Sequence, residues 1–403
     1  MSTPKVALFL AQPNGALVGE GKPFSNLKDL CRWAHKECGY EGVTAPACLP
    51  FVDIDSVLKS DSYPDDLLAG YEAFGTPLLR LEMHTVGQRM LLHPAELARF
   101  SMFAGGNLAP TATFREHEAA AEAEALKIVE ASAKLGFKHL VDFSGNRGWT
   151  AAKYPWSAYP EKWRLYILLL ALAKHRRVLA RCAELGIARG FELHPGEDIN
   201  SPLLLFLLRE LAKQVAPETV PAIAANADAS HPTLAGDDAA RHFRFLHKEG
   251  LLQMCHLKDG ERGESFLAED SLELRAGSLR GDFAPRWSES WRRFCTFGTG
   301  MADWDTIIPI LLQAGVDFVV EGECSRFPNM MQALKIGAEN ARNAINGEPF
   351  IQEIEVEEPV GGNWESFCAG PVPAAELLCM DAEETKAVEE LRERLSPDIL
   401  RYF

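Results

Sequence analysis

Eight short runs rich in Val, Ile, Leu, Ala and Phe recur along the chain, separated by longer segments with helical spacing. They cover residues 6–11, 42–45, 79–83, 139–143, 188–193, 222–226, 252–257 and 318–320. Between them, residues 26–38, 115–135, 161–185, 202–215, 239–248 and 304–314 read as helices. Four of these helices stop at Gly39, Gly136, Gly186 or Gly315, just ahead of the next apolar run. Glycine enters the left-handed C-cap conformation without steric cost, so the pattern reads helix, stop, strand. Strand alternating with helix implies a parallel sheet, and eight strands fit a closed (β/α)8 barrel better than an open doubly wound sheet. No G-x-G-x-x-G follows the first run, so a dinucleotide site has no support.

A minimal barrel needs only about 250 residues, and this chain has 403. Residues 259–303 separate the seventh strand from its helix and contain Trp287, Trp291, Arg280, Arg286, Arg292 and Arg293. So long a connection at the catalytic end of a barrel reads as a lid, a substrate loop or a subunit contact. The expected organisation is a barrel over residues 1–346 and an extension over 347–403. The extension offers one helix at 382–395, with Asp381 and Glu384 spaced as a capping box.

Charge and cysteine usage narrow the classes. Lys and Arg number 41 against 57 Asp and Glu, a net charge of −16. That disfavours nucleic acid, where a basic face supplies most of the affinity. Nine cysteines without a C-x-x-C pair argue against a disulfide framework or a cysteine-rich zinc module. The longest apolar run, residues 165–173, is far short of the ~20 residues a membrane span needs. The N-terminus lacks the layout of a signal peptide. A soluble cytoplasmic protein is expected.

Catalytic groups of such a barrel sit where strands end and the βα loops converge. Strand three ends in Glu82-Met83-His84, followed by Gln88; strand four ends in Asp142 to Asn146, followed by Trp149 and Trp156. Strand five ends in Glu192-Leu193-His194, strand six in Asn226 to His231, strand seven in His256-Leu257-Lys258-Asp259 and strand eight in Glu321-Gly322-Glu323. Taken singly these residues have bland readings. His256 could be a satisfied core histidine, Asp228 and His231 a turn, and Glu321 and Glu323 halves of salt bridges. Together they are harder to dismiss, because buried carboxylates and imidazoles are costly unless paired or metal-bound. A set of one nitrogen and three carboxylate ligands suits Mn2+, Mg2+ or Co2+ and tolerates Zn2+. Cys255 and Cys324, which flank the cluster in sequence, read as buried fillers.

The segments Glu192-Leu-His-Pro-Gly-Glu, Asp228-Ala-Ser-His231, His256-Leu-Lys-Asp259, Gly298-Thr-Gly-x-x-Asp303-Trp and Val319-Val-Glu321-Gly-Glu carry a resemblance. Over residues 4–346 the chain resembles the sugar phosphate isomerase/epimerase family, whose fold is a xylose isomerase-like TIM barrel. The resembling subgroup includes keto-sugar epimerases, inosose dehydratases and lyases that cleave 3-keto-glycosides, C-glycoside deglycosidases among them. The resemblance implies Glu192, Asp228, His256 and Glu321 as ligands of one divalent ion, Mn2+ first. It places His231 beside the metal and leaves Glu323 as a rival to Glu321. It further implies a carbohydrate substrate and a homo-oligomer.

A divalent ion chelated by a carbonyl and its neighbouring hydroxyl acidifies the intervening C–H and stabilises the enediolate. Glu192 and Glu321 would remove and return the proton. His84, His231 or Lys258 would protonate a leaving group, turning the same enolate chemistry into β-elimination. His194, Trp149, Asn146, Glu323 and Gln88 are the expected substrate contacts, with Trp149, Trp156 and Trp287 available to stack on a sugar face. The expected activity is therefore isomerisation or epimerisation, with a lyase or dehydratase as the alternative and a non-catalytic sugar-binding barrel as the second. A DNA-repair endonuclease of the same fold would need more histidines and a basic groove.

Overall fold

The structure, a computed structural model, describes residues 3–97, 100, 108, 112–148, 163–262, 292–324, 329–352, 354–358 and 386. Its strands in chain order are β1 Val6–Phe9, β2 Gly42–Pro46, β3 Leu78–Glu82, β4 His139–Asp142, β5 Ala188–Glu192, β6 Ile223–Asp228 and β7 Leu252–Leu257. These are followed by β8 Asp259–Arg262, β9 Arg292–Cys295 and β10 Phe318–Val320. The first seven strands and β10 close a parallel barrel in the order β1-β10-β7-β6-β5-β4-β3-β2. The expected (β/α)8 architecture is therefore present.

The six expected helices form at Leu27–Cys38, Phe114–Lys134, Trp163–Glu184, Pro202–Val215, Ala239–Lys248 and Trp304–Ala314. Their ends follow local chemistry. Thr113 and Glu116 make a reciprocal capping box, and Gly39 and Gly315 terminate their helices with φ of 74° and 68°. Sequence reading passes over Ala11–Leu17, Ile54–Lys59, Tyr63–Ala73, His84–Met90, Ser230–Ala235 and Met330–Asn346. The first strand stops two residues short of its expected end because a helix begins at Ala11. The fourth stops at Asp142, whose side-chain oxygen takes the Phe143 N–H at 2.8 Å.

Alternation along each strand sorts side chains into two sets. Leu8, Val43, Leu81, Leu140, Phe191, Ala225, Leu257 and Val320 belong to one large buried cluster with the helices. Val141, Ala188, Ala224 and Met254 form a separate apolar cluster. They lie two or four positions before strand-end residues of the same face, so they fill the barrel interior. Gly190 makes room there, since a Cβ on it would meet Met254 Cε at 2.6 Å.

The long connection after β7 begins and ends as a ribbon, β8 antiparallel to β9. Residues 263–291, with Trp287, Trp291, Arg280 and Arg286, lie outside the described residues, as does the expected helix at 382–395. The chain beyond Asn346 returns along the last helix: the Ile351 N–H donates to Asn340 Oδ1 at 2.8 Å and Gln332 Nε2 donates to the Glu355 carbonyl at 2.6 Å. Among the described residues, no helix is long and apolar enough to cross a membrane.

Candidate metal centre

The strand ladder sets the levels of the side chains that converge at the C-terminal mouth. Glu192 is registered against Asn226, Asp228 against His256, and His256 against Val319, directly before the β10 end that carries Glu321. As a result Glu192, Asp228, His256 and Glu321 each offer one ligand atom within 4.8 Å of the others, and all four are buried. The four residues implied by the resemblance are thus brought together.

Glu192 is the hub. Its Oε2 lies 3.0 Å from His84 Nε2 and 3.1 Å from His256 Nδ1, and accepts from Asn226 Nδ2 at 3.1 Å. Its Oε1 lies 3.3 Å from His231 Nε2. Burial opposes ionisation of Glu192, but His256, His231 and His84 hold its carboxyl well below the ordinary range. Burial likewise disfavours the His84 imidazolium, yet Glu192 and Glu82 raise its pKa.

Lys258 reaches the same cluster from the opposite side. Its Nζ lies 3.2 Å from Asp228 Oδ2, 2.8 Å from Glu321 Oε2 and 2.6 Å from Glu323 Oε2. These carboxylates outweigh the cost of burial and keep the ammonium charged. Gln12, at the start of the helix after β1, donates to Glu321 Oε1 at 2.9 Å and Glu323 Oε1 at 3.1 Å. Glu321 is ionised against burial by Lys258 and His256, whereas burial and the Glu321 charge push Glu323 upward.

The other expected contacts fall in different places. His194 stacks edge-on to His231, with ring centroids 4.3 Å apart, and on Phe143 at 5.0 Å. Burial, His231 and Lys258 hold it neutral, well below the usual histidine range. Gln88 is buried with Oε1 lacking a hydrogen-bond partner. Asn146 ties two loops together, its Oδ1 accepting the His93 N–H at 2.8 Å. Trp149 and Trp156 lie outside the described residues. Burial pushes the Cys255 thiol up to about 12, as expected of an inert filler.

Two strand-end residues named in the sequence make contacts that the sequence does not reveal. Glu82, at the end of β3, approaches His256 Nε2 at 3.1 Å, and Phe9 stacks on the same imidazole at a centroid distance of 5.4 Å. Asp259, directly after the Lys258 position, accepts the N–H groups of Gly260, Gly300 and Ala302 and the Trp304 indole N–H, at 2.6–3.1 Å. Its carboxylate therefore ties the foot of the β8–β9 ribbon to the start of the next helix.

The donor set fits a divalent cation. Five buried carboxylates (Glu82, Glu192, Asp228, Glu321, Glu323) face two fixed cations, Lys258 and Arg80. Asp228 Oδ2 and His256 Nδ1 make no well-formed hydrogen bond, although Lys258 Nζ stands 3.2 Å from the first and Glu192 Oε2 3.1 Å from the second. The carboxylates still outnumber the fixed cations, and a further cation among them would offset part of the cost of burying the excess. One nitrogen and three carboxylates are hard ligands of the sort Mn2+, Mg2+, Co2+ or Zn2+ accept.

No protein-family model and no curated protein matches the chain by sequence. Solved structures do match. A xylose isomerase domain protein from Planctomyces limnophilus is similar with a TM-score of 0.52 at 14% identity, over 86% of this chain and 97% of that one. A xylose isomerase-like TIM barrel protein from Mycobacterium smegmatis in complex with magnesium gives 0.51 at 14%, over 85% and 96%. A probable 3-DHS dehydratase from Bacillus anthracis gives 0.51 at 14%, over 84% and 99%. The fold is a xylose isomerase-like (β/α)8 TIM barrel.

Proposed function

We propose that the protein is a divalent-metal-dependent enzyme that takes a proton from the carbon beside a carbonyl of a sugar, keto-sugar or cyclitol. It would act as an isomerase or epimerase. The observation that carries this reading is the convergence of Glu192, Asp228, His256 and Glu321 at the barrel mouth. A divalent cation held by them, Mn2+ in this reading, would polarise a carbonyl and its neighbouring hydroxyl and acidify the C–H between them.

The chain's own groups supply the proton traffic. Glu192 and Glu321 are ionised and serve as the proton acceptors, each removing or returning the proton from its own side of the substrate. His84 and His231, at hydrogen-bond distance from Glu192, orient it and relay its proton. Lys258 places a fixed positive charge against oxygen charge that develops on the substrate. Buried acceptors without partners, Gln12 Oε1, Gln88 Oε1 and Asn226 Oδ1, suit a ligand rich in hydroxyl donors.

Elimination from a 3-keto-glycoside or inosose is the second reading. It is favoured by the proton donors gathered around Lys258 and His231, and is the class of reaction attributed to the Bacillus anthracis barrel. Elemental analysis of wild type and Asp228→Asn tests the metal. About one ion per chain, lost in the variant, supports the site; no uptake on soaking sinks it and leaves a non-catalytic sugar-binding barrel. Deuterium exchange into a panel of keto-sugars and glycosides then separates the reactions. Exchange with product of unchanged mass apart from the label indicates isomerisation or epimerisation, and a conjugated enone indicates elimination. Cytoplasmic location and homo-oligomerisation complete the proposal, the latter checked by light scattering.

A further inference from the structure

The orientation of His256 has a cause outside the four ligands. A histidine can present Nδ1 to a metal only if that atom carries its lone pair, which puts the proton of the neutral ring on Nε2. His256 Nε2 faces Glu82, at 3.3 Å from Oε1 and 3.1 Å from Oε2, while Nδ1 faces Glu192 Oε2 at 3.1 Å and Glu321 Oε2 at 3.5 Å. Glu82 is fully buried, and Arg80 Nε lies 3.4 Å from its Oε1, so a carboxylate is compensated there by a guanidinium from the same strand. Phe9 covers the face of the ring, with planes 16° apart, and blocks rotation of the imidazole.

We propose that Glu82 is a positioning residue for the metal centre, the acceptor in an Arg80–Glu82–His256 relay that fixes His256 with Nδ1 toward the ion. This rests on the metal reading above and adds a residue none of the four ligands can replace. Carboxylate partners of ligating histidines typically contribute 10–100-fold to metal affinity or activity. Glu82 belongs to β3, on the far side of the barrel from β7, so the relay also ties the ligand histidine across the interior.

The test is Mn2+ titration by calorimetry of wild type, Glu82→Gln and Glu82→Ala, with apo melting temperatures measured alongside. Glu82→Ala should bind Mn2+ about 10–100-fold more weakly. Glu82→Gln keeps an oxygen acceptor for Nε2–H without the charge and should fall between it and wild type. The visible spectrum of the Co2+ form, which reports the ligand field, should shift in Glu82→Ala and move back in Glu82→Gln. A folded Glu82→Ala that binds Mn2+ within twofold of wild type overturns the proposal. Should Glu82→Ala fail to fold with Arg80 left unpaired, an unchanged affinity and Co2+ spectrum in Glu82→Gln overturns it instead. Wild type that takes up neither ion overturns the metal reading itself, so the two failures are distinguishable.

Discussion

Along β5, β6 and β7 the lower and upper positions of the barrel interior have opposite chemistry, while on β3 a buried Arg80 stands two residues below Glu82. In β5, β6 and β7 the lower positions are Ala188, Ala224 and Met254, fully apolar and closed around Gly190. Two to four residues further along the same faces stand Glu192, Asp228 and His256, where charge is gathered until five carboxylates face two fixed cations. The difference separates two tasks along one strand. The lower layer contributes hydrophobic burial and needs no ligand, whereas the upper layer holds charge that a bound cation would offset.

That contrast can be broken from either end. The largest effect is expected from Asp228→Asn, which should weaken metal affinity at least about 100-fold in calorimetric titration, while the apo protein stays folded. Met254→Ala should do the converse. It should cost about 2–5 kcal/mol in denaturant unfolding and leave the metal Kd within twofold, since Met254 is not a ligand; a loss of metal affinity there would show that the halves are coupled. Asp259→Asn keeps one oxygen acceptor but turns the other, which serves two of the four N–H donors, into an NH2 donor, and should cost about 1–3 kcal/mol of stability.

The smallest effect belongs to the outer helices and serves as a control. Arg181 hydrogen-bonds Glu130 from a neighbouring helix and holds its carboxyl below the ordinary value. The folded pKa lies under the unfolded one, so the pair stabilises the protein above the unfolded pKa and that gain is lost as pH falls through the folded value. Because the pair is half exposed, the contribution should be only about 0.2–1 kcal/mol. Glu130→Gln should therefore flatten the acid side of the stability profile slightly and leave metal binding alone.

The barrel was legible in the sequence because eight apolar runs and four glycine stops encode it locally. The four converging candidate residues were legible for a related reason: each is a charged residue or an imidazole at the end of an apolar run. Glu82 occupies the same kind of position, but its role depends on His256 across the barrel, and no spacing in the chain announces that pairing. Gln12 was invisible because the first run reads as strand up to residue 11, while the backbone has already turned into helix at Ala11. The short helices at 84–90 and 230–235 were missed because each is too brief to show a periodic face. The 17-residue Met330–Asn346 did carry signals, an Asn329 cap accepting the Gln332 N–H and Gly347 at φ 71°.

The four N–H groups gathered by Asp259 make the loop's root independent of its span. Gly300 approaches so closely that a Cβ on it would lie 2.4 Å from Asp259 Oδ1, which fixes both ends of the ribbon to one carboxylate. None of these contacts uses a residue between Arg262 and Arg292, so β7 and the helix from Trp304 are joined by a clasp a few residues long rather than by the whole connection.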